Sequence, residues 1–208
     1  MSEPVSTDDE PTTYPEALMV GKGEPMVGSS ADREGARLPR AVLAHRESIG
    51  EFLSLAERVP PVRWAVPLQL AKWSPAQEVE HVTLAYEIFG TELAGGVGMK
   101  PMVPAGRQHL LRWFVLPGIL FTGKFPGRPR APREVRPTGA TVVKDAQVER
   151  LRAAVDACER SWRLARRERP RQRLSHAYFG TLSLDDALRL MTVHTRHHGR
   201  KLVSAITG

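Results

Sequence analysis

Apolar residues recur at helical spacings of three and four in four separate stretches of the chain. Val42, His45, Ile49, Phe52, Ala56 and Val59 form one such stripe and predict a helix from about Arg40 to Arg58, stopped by Pro60-Pro61. A second stripe, Val79, Val82, Tyr86, Phe89 and Leu93, follows a complete start signal. Ser74 suits the cap position, Pro75 the first helical position, and Gln77 completes an S-x-x-Q capping box. Gly95-Gly96 predicts a left-handed stop. The third stripe, Val148, Leu151, Val155, Cys158, Trp162 and Ala165, predicts a helix from about Asp145 to Arg169, ended by Pro170. The fourth helix is opened by Ser183, with Asp185 and Asp186 in the first turn, and runs to about Ala205. No strand pair stands out. Four amphipathic helices of similar length predict an all-α fold, a four-helix bundle.

Two stretches lack this periodicity. Residues 1–37 are rich in Pro, Gly, Ser, Thr and acids and short of large apolar groups, so a disordered or extended acidic tail is expected there. The folded domain is expected over 38–208. Residues 97–140 are rich in Pro, Gly and Arg, and so long a connection needs a reason in a compact domain. A chain returning along a bundle is one, because a 20-residue helix spans about 30 Å. Within it, 108–121 is apolar enough to pack down as a short helix.

Charge divides along the same lines. Residues 1–37 carry a net −5 and residues 100–136 a net +7 within an overall +7. The basic half suits anionic partners, though an arginine-rich solvated surface gives the same balance. The single cysteine, Cys158, excludes an intramolecular disulfide and favours a cytoplasmic setting. It sits on an apolar stripe and reads as an inert core thiol. No signal peptide is evident at the start. The longest apolar run, 113–121, falls short of the roughly 20 residues of a membrane span, so no membrane is expected.

The fourth helix carries the chemistry. His194 and His198 fall on the stripe of Leu184, Leu188, Met191 and Leu202, while His197 falls well off it. Two inward imidazoles one turn apart can share a divalent metal. A pair of hydrogen-bonded core histidines is the competing reading. A third ligand has to come from a facing helix. His81, on the flank of the second helix's stripe, is the first candidate and His45 the competitor. Glu78 and Glu80 beside His81 are candidates to orient a ligand or carry protons, and His197 is a candidate outer group. His109 and His176 fall in loop-like segments and read as surface or rim residues.

The stretches Trp73–Glu87 (WSPAQEVEHVTLAYE) and His176–Leu202 (HAYFGTLSLDDALRLMTVHTRHHGRKL) together resemble the second-helix and final-helix signatures of the DinB/YfiT-like superfamily. The resemblance covers about residues 38–208. It implies up-down-down-up topology, with a long crossover between parallel second and third helices. It also implies a three-histidine metal site, which falls on His81, His194 and His198 and so prefers His81 over His45. Zn or Ni is the implied metal, and a homodimer the implied assembly. Some relatives are thiol-dependent S-transferases or isomerases. A metal-dependent transferase using a low-molecular-weight thiol and a small electrophile is therefore one expectation, and a non-catalytic metal-binding or stress-response protein is the other. Nucleic acid is not expected, because no stacking aromatics are apparent among the arginines.

Overall fold

The computed structural model describes residues 30–70, 72–127, 129–140 and 143–207, with side chains from Arg40 onward. The described residues are mostly helical. Four long helices dominate: α1 (Ser30–Arg58), α3 (Pro75–Leu93), α6 (Lys144–Glu168) and α7 (Leu184–Thr207). A short α2 (Pro61–Trp64) follows α1. α4 (Ala105–Leu110), a π-turn (Leu111–Val115), α5 (Leu116–Thr122) and a 3-10 turn (Arg133–Val135) lie in the connection between α3 and α6.

The predicted boundaries hold where local chemistry sets them. The Ser74 hydroxyl accepts the Gln77 N–H, and the Gln77 side chain accepts the Ser74 N–H, closing the capping box. Ser183 Oγ accepts the Asp186 N–H at 3.1 Å and opens α7. α1 begins earlier than expected, so 30–37 of the predicted tail is helical. Ala31, Arg33, Glu34, Ala36 and Arg37 are good helix formers, which extend a helix by propensity. Residues 1–29 of that predicted tail lie outside the described residues.

α3 packs chiefly on α6, and α1 on α7. Gln147 of α6 donates to the Ala76 carbonyl at the start of α3, and Arg169 donates to the Leu93 carbonyl at its end. Between them Gly90 backs onto Cys158, where an added Cβ would lie 3.4 Å from the Cys158 Cα. Glycine thus sets the close approach of the two helices. Arg196 of α7 pairs with Glu47, and Gly199 lies over Phe52 and Leu55 of α1. The predicted stripes form the core, with Phe52, Val79, Tyr86, Leu151 and Leu202 fully enclosed. Cys158 is enclosed too, and burial pushes its thiol up to about 12, so it stays protonated and inert.

One element was not expected. Arg173–His176 (β1) and Gly180–Ser183 (β2) form an antiparallel hairpin, pairing His176 with Gly180. Four-residue strands are too short to show alternation, so the segment reads as loop. His176 is consequently not a loose rim residue. Its Nδ1 accepts the N–H groups of Tyr178 and Phe179, and its ring stacks on Phe179. Gly180 completes the turn at φ 67°, where glycine carries no steric penalty. The hairpin also grips the crossover: Met102 N–H donates to the Ala177 carbonyl, and Tyr178 Oη donates to the Arg130 carbonyl.

His45 is a core histidine. Its Nε2 lies 3.0 Å from Tyr86 Oη, which lies 3.1 Å from Thr195 Oγ1. Burial lowers its pKa from 6.5 to about 4. The folded value lies below the unfolded one, so the associated stability is complete above pH 6.5 and is lost as pH falls towards 4. At most ~3 kcal/mol is involved. A His45→Gln variant should therefore show a smaller drop in thermal midpoint than wild type between pH 7 and pH 4, measured by circular dichroism.

Candidate metal centre

The site forms where α3 and α7 face each other beneath the crossover. His81 comes from the second turn of α3, while His194 and His198 come from one face of α7. His81 Nε2 lies 3.0 Å from His194 Nε2, and His198 Nε2 lies 3.2 Å from the same atom. One nitrogen from each of the three rings lies within 4.8 Å of the others. Ligands at about 2.1 Å from a tetrahedral metal would sit roughly 3.4 Å apart. The three nitrogens are therefore spaced to hold one ion.

The outer nitrogens fix which atoms point inward. His81 Nδ1 lies 2.5 Å from the Val135 carbonyl, which has only lone pairs, so Nδ1 carries the proton and donates. Its Nε2 then presents a lone pair to the centre. With Glu78 ionised beside Lys201, His198 Nδ1 donates to its carboxylate, which leaves Nε2 in the same state. His194 Nε2 faces both of these lone pairs and can donate to only one of them. Its Nδ1 is buried with no partner among the described residues. Hydrogen bonding between the rings thus leaves polar atoms unsatisfied, whereas a cation would take all three lone pairs.

Electrostatics point the same way. Burial lowers His81 to about 4 and holds His194 and His198 well below the ordinary value, helped by the neighbouring rings and by Lys201. All three are neutral at pH 7, the form that binds metal. Glu78 is only 2% exposed, and burial pushes its carboxyl up to about 7 against the pull of Lys201. Lys201 Nζ lies 3.2 Å from that carboxylate and 5.5 Å from the centre of the Trp73 ring. The Trp73 ring in turn packs 4.9 Å from His81 and stacks on His198 at 6.3 Å. Phe125 meets His194 and His197 edge-on.

Glu78 serves His198 across the helix interface, not the adjacent His81. Glu80 turns elsewhere: its Oε1 accepts the Thr138 N–H and hydroxyl, pinning the crossover. His197 lies beside the cluster, edge-on to His198 at 5.1 Å. His45 is engaged with Tyr86, and His109 is exposed on α4. Sequence reasoning missed Lys201, Trp73, Val135 and Phe125. Lys201 stands three residues after His198, on the same helical face, and Trp73 immediately precedes the Ser74 cap, so both carried a local signal. Val135 is 54 residues from His81 and carried none.

A family profile described as the DinB superfamily matches residues 44–202, which include all three histidines. The chain belongs to the DinB superfamily. No curated protein and no solved structure matched it. In this DinB-superfamily chain, family membership and the histidine cluster together fit a metal-binding protein.

Removing an outer partner of a metal-ligating histidine typically costs 10- to 100-fold in affinity. Glu78→Gln should weaken Zn binding by about that factor in a competition titration against a chromogenic chelator. Glu80→Gln, which keeps an oxygen to accept from Thr138 and touches no histidine, should lose much less.

Proposed function

We propose that this DinB-superfamily chain holds a divalent metal, Zn or Ni, on His81, His194 and His198. We further propose that it joins a low-molecular-weight thiol to a small electrophile at the position these ligands leave open. The observation that carries the reading is the convergence of three Nε2 atoms, two of them with their tautomers fixed by Val135 and Glu78. When bound, the metal would lower the pKa of a coordinated thiol and hold its thiolate.

The protein's own groups do the rest. Val135 and Glu78 orient two ligands, and Trp73 and Phe125 cover the cluster with apolar surface that limits water. A cleft of about 550 Å³ lined by Lys100, Pro101, Met102, Arg133, Glu134 and Arg136 lies on the turn that supplies Val135. Its three cations suit the carboxylates of an acidic thiol. In the reaction the thiol gives its proton to solvent, sulfur bonds to the electrophilic carbon, and the leaving group departs with its electron pair.

The same reading includes a four-helix bundle of up-down-down-up topology. The Ala76–Gln147, Gly90–Cys158 and Leu93–Arg169 contacts support parallel α3 and α6. The Glu47–Arg196 and Phe52–Gly199 contacts support parallel α1 and α7. The pairs Arg46–Glu159 and Arg152–Glu57 support α1 opposed to α6. No helix among the described residues is long and apolar enough to cross a membrane.

Elemental analysis of protein purified without chelator or affinity metal should find a stoichiometric divalent ion, absent from a His194→Ala, His198→Ala double variant. Wild-type metal content in that variant would sink the site. Turnover of a chromogenic electrophile should depend on an added acidic thiol. Bound metal with no turnover across a broad electrophile panel would leave a metal-binding scaffold and discard the transferase.

A further inference from the structure

The helical part of the crossover is apolar on two faces, and the body of the protein covers one. Leu116 and Ile119 are 4% and 2% exposed, and Leu111, Val115 and Leu120 pack against the core beside them. Pro117 supplies no N–H, and just before it the ladder widens into the π-turn, where the Leu116 N–H donates to the Leu111 carbonyl. The outer face carries Leu110, Trp113, Phe114 and Phe121, which are 60%, 68%, 78% and 91% exposed. Leu110, Trp113 and Phe114, at spacings of three and four, share one side of the segment, and Phe121 stands exposed beyond the π-turn. A helix apolar all round is ordinarily buried all round. This one leaves three large aromatic rings uncovered, which is the mark of a docking face.

Charge selects the occupant. Arg107 and Lys124 flank the rings on the same segment, while the Arg112 guanidinium, 6.0 Å from the Trp113 ring centre, donates to the Thr181 carbonyl of the hairpin. Arg200 of α7 donates to the Gly123 carbonyl and adds a cation at the same end. Residues 100–136 contain eight basic residues against one acid, Glu134. A second copy docked through this face would bring two such cationic rims together, which disfavours self-association. A single nucleic-acid strand needs a groove that tracks its backbone, whereas these rings stand out from a convex helix. Protruding Trp, Phe and Leu side chains in a basic rim match an anionic lipid surface, which supplies negative headgroups and a soft apolar layer at the depth of the rings.

We propose that the outer face of residues 105–124 docks on an anionic bilayer surface, with Leu110, Trp113, Phe114 and Phe121 entering the interface and the exposed Arg107 and Lys124 meeting the headgroups. This needs no membrane span and does not rest on the metal reading.

The test is cosedimentation of the full chain with vesicles of phosphatidylcholine alone and of phosphatidylcholine mixed with phosphatidylglycerol, with tryptophan emission recorded in parallel. Wild type should pellet with the anionic vesicles only, release with added salt, and shift its emission to the blue. Phe114→Ser with Phe121→Ser alters exposed rings and should keep the wild-type thermal midpoint, yet weaken vesicle binding at least about tenfold. Arg107→Glu with Lys124→Glu should weaken it comparably. Binding unchanged by both variants, or equal on neutral vesicles, overturns the proposal. So does a wild-type dimer made monomeric by the double-serine variant without any vesicle binding, which would make a second copy the occupant. Binding to a labelled single-stranded oligonucleotide but to no vesicle overturns it in favour of nucleic acid.

Discussion

The hydrogen bond from His81 Nδ1 to the Val135 carbonyl is the constraint on which the centre depends. It fixes the tautomer of one ligand, and it requires the crossover to lie against α3 at one height. Other contacts enforce that placement. Glu80 holds Thr138 just beyond the turn, and the hairpin holds Met102 and Arg130 before it. The long connection between α3 and α6 is therefore part of the site wall. Its return along the helices puts the Val135 backbone oxygen on His81 Nδ1.

Two polar sets of the interior share α7. One runs from Lys201 through Glu78 to His198 and the cluster. The other runs from His45 through Tyr86 to Thr195. Thr195 follows His194 directly in sequence, yet the two residues turn to different partners because successive helical positions point in different directions. Both sets sit where burial disfavours charge, so their histidines are neutral for a common reason. Only the first set aims its lone pairs at a common point, and that separates ligand histidines from packing ones.

Much of this was legible in the sequence because it is local. Ser74, Gln77 and Ser183 mark helix starts through bonds that span three residues. His194 and His198 sorted themselves from His197 by helical angle alone. His81 is the instructive intermediate. Periodicity put it on the flank of the α3 stripe, yet it is only 5% exposed, because the 3-10 turn of the crossover covers that flank. A stripe drawn from α3 alone has no knowledge of what arrives from residue 135. The choice of His81 over His45 accordingly came from family resemblance and not from pattern. The hairpin escaped for a different reason: its strands are shorter than the period that would reveal them. The aromatics at 113, 114 and 121 were visible as an apolar run, but which of them would face outward depended on the packing of the crossover.

Because the hairpin fastens the backbone at Met102 and at Arg130, the chain between those points behaves as a loop with both ends already closed. Lengthening such a loop adds little entropic cost, on the order of 0.6 kcal/mol per doubling. Insertions, deletions and exchanges at the exposed positions between the anchors, away from Leu116, Ile119 and Phe125, can therefore accumulate without moving the turn at Val135 or the His81 ring it orients. The interval becomes a cassette in which a lineage can change what the protein touches while the buried chemistry stays in register.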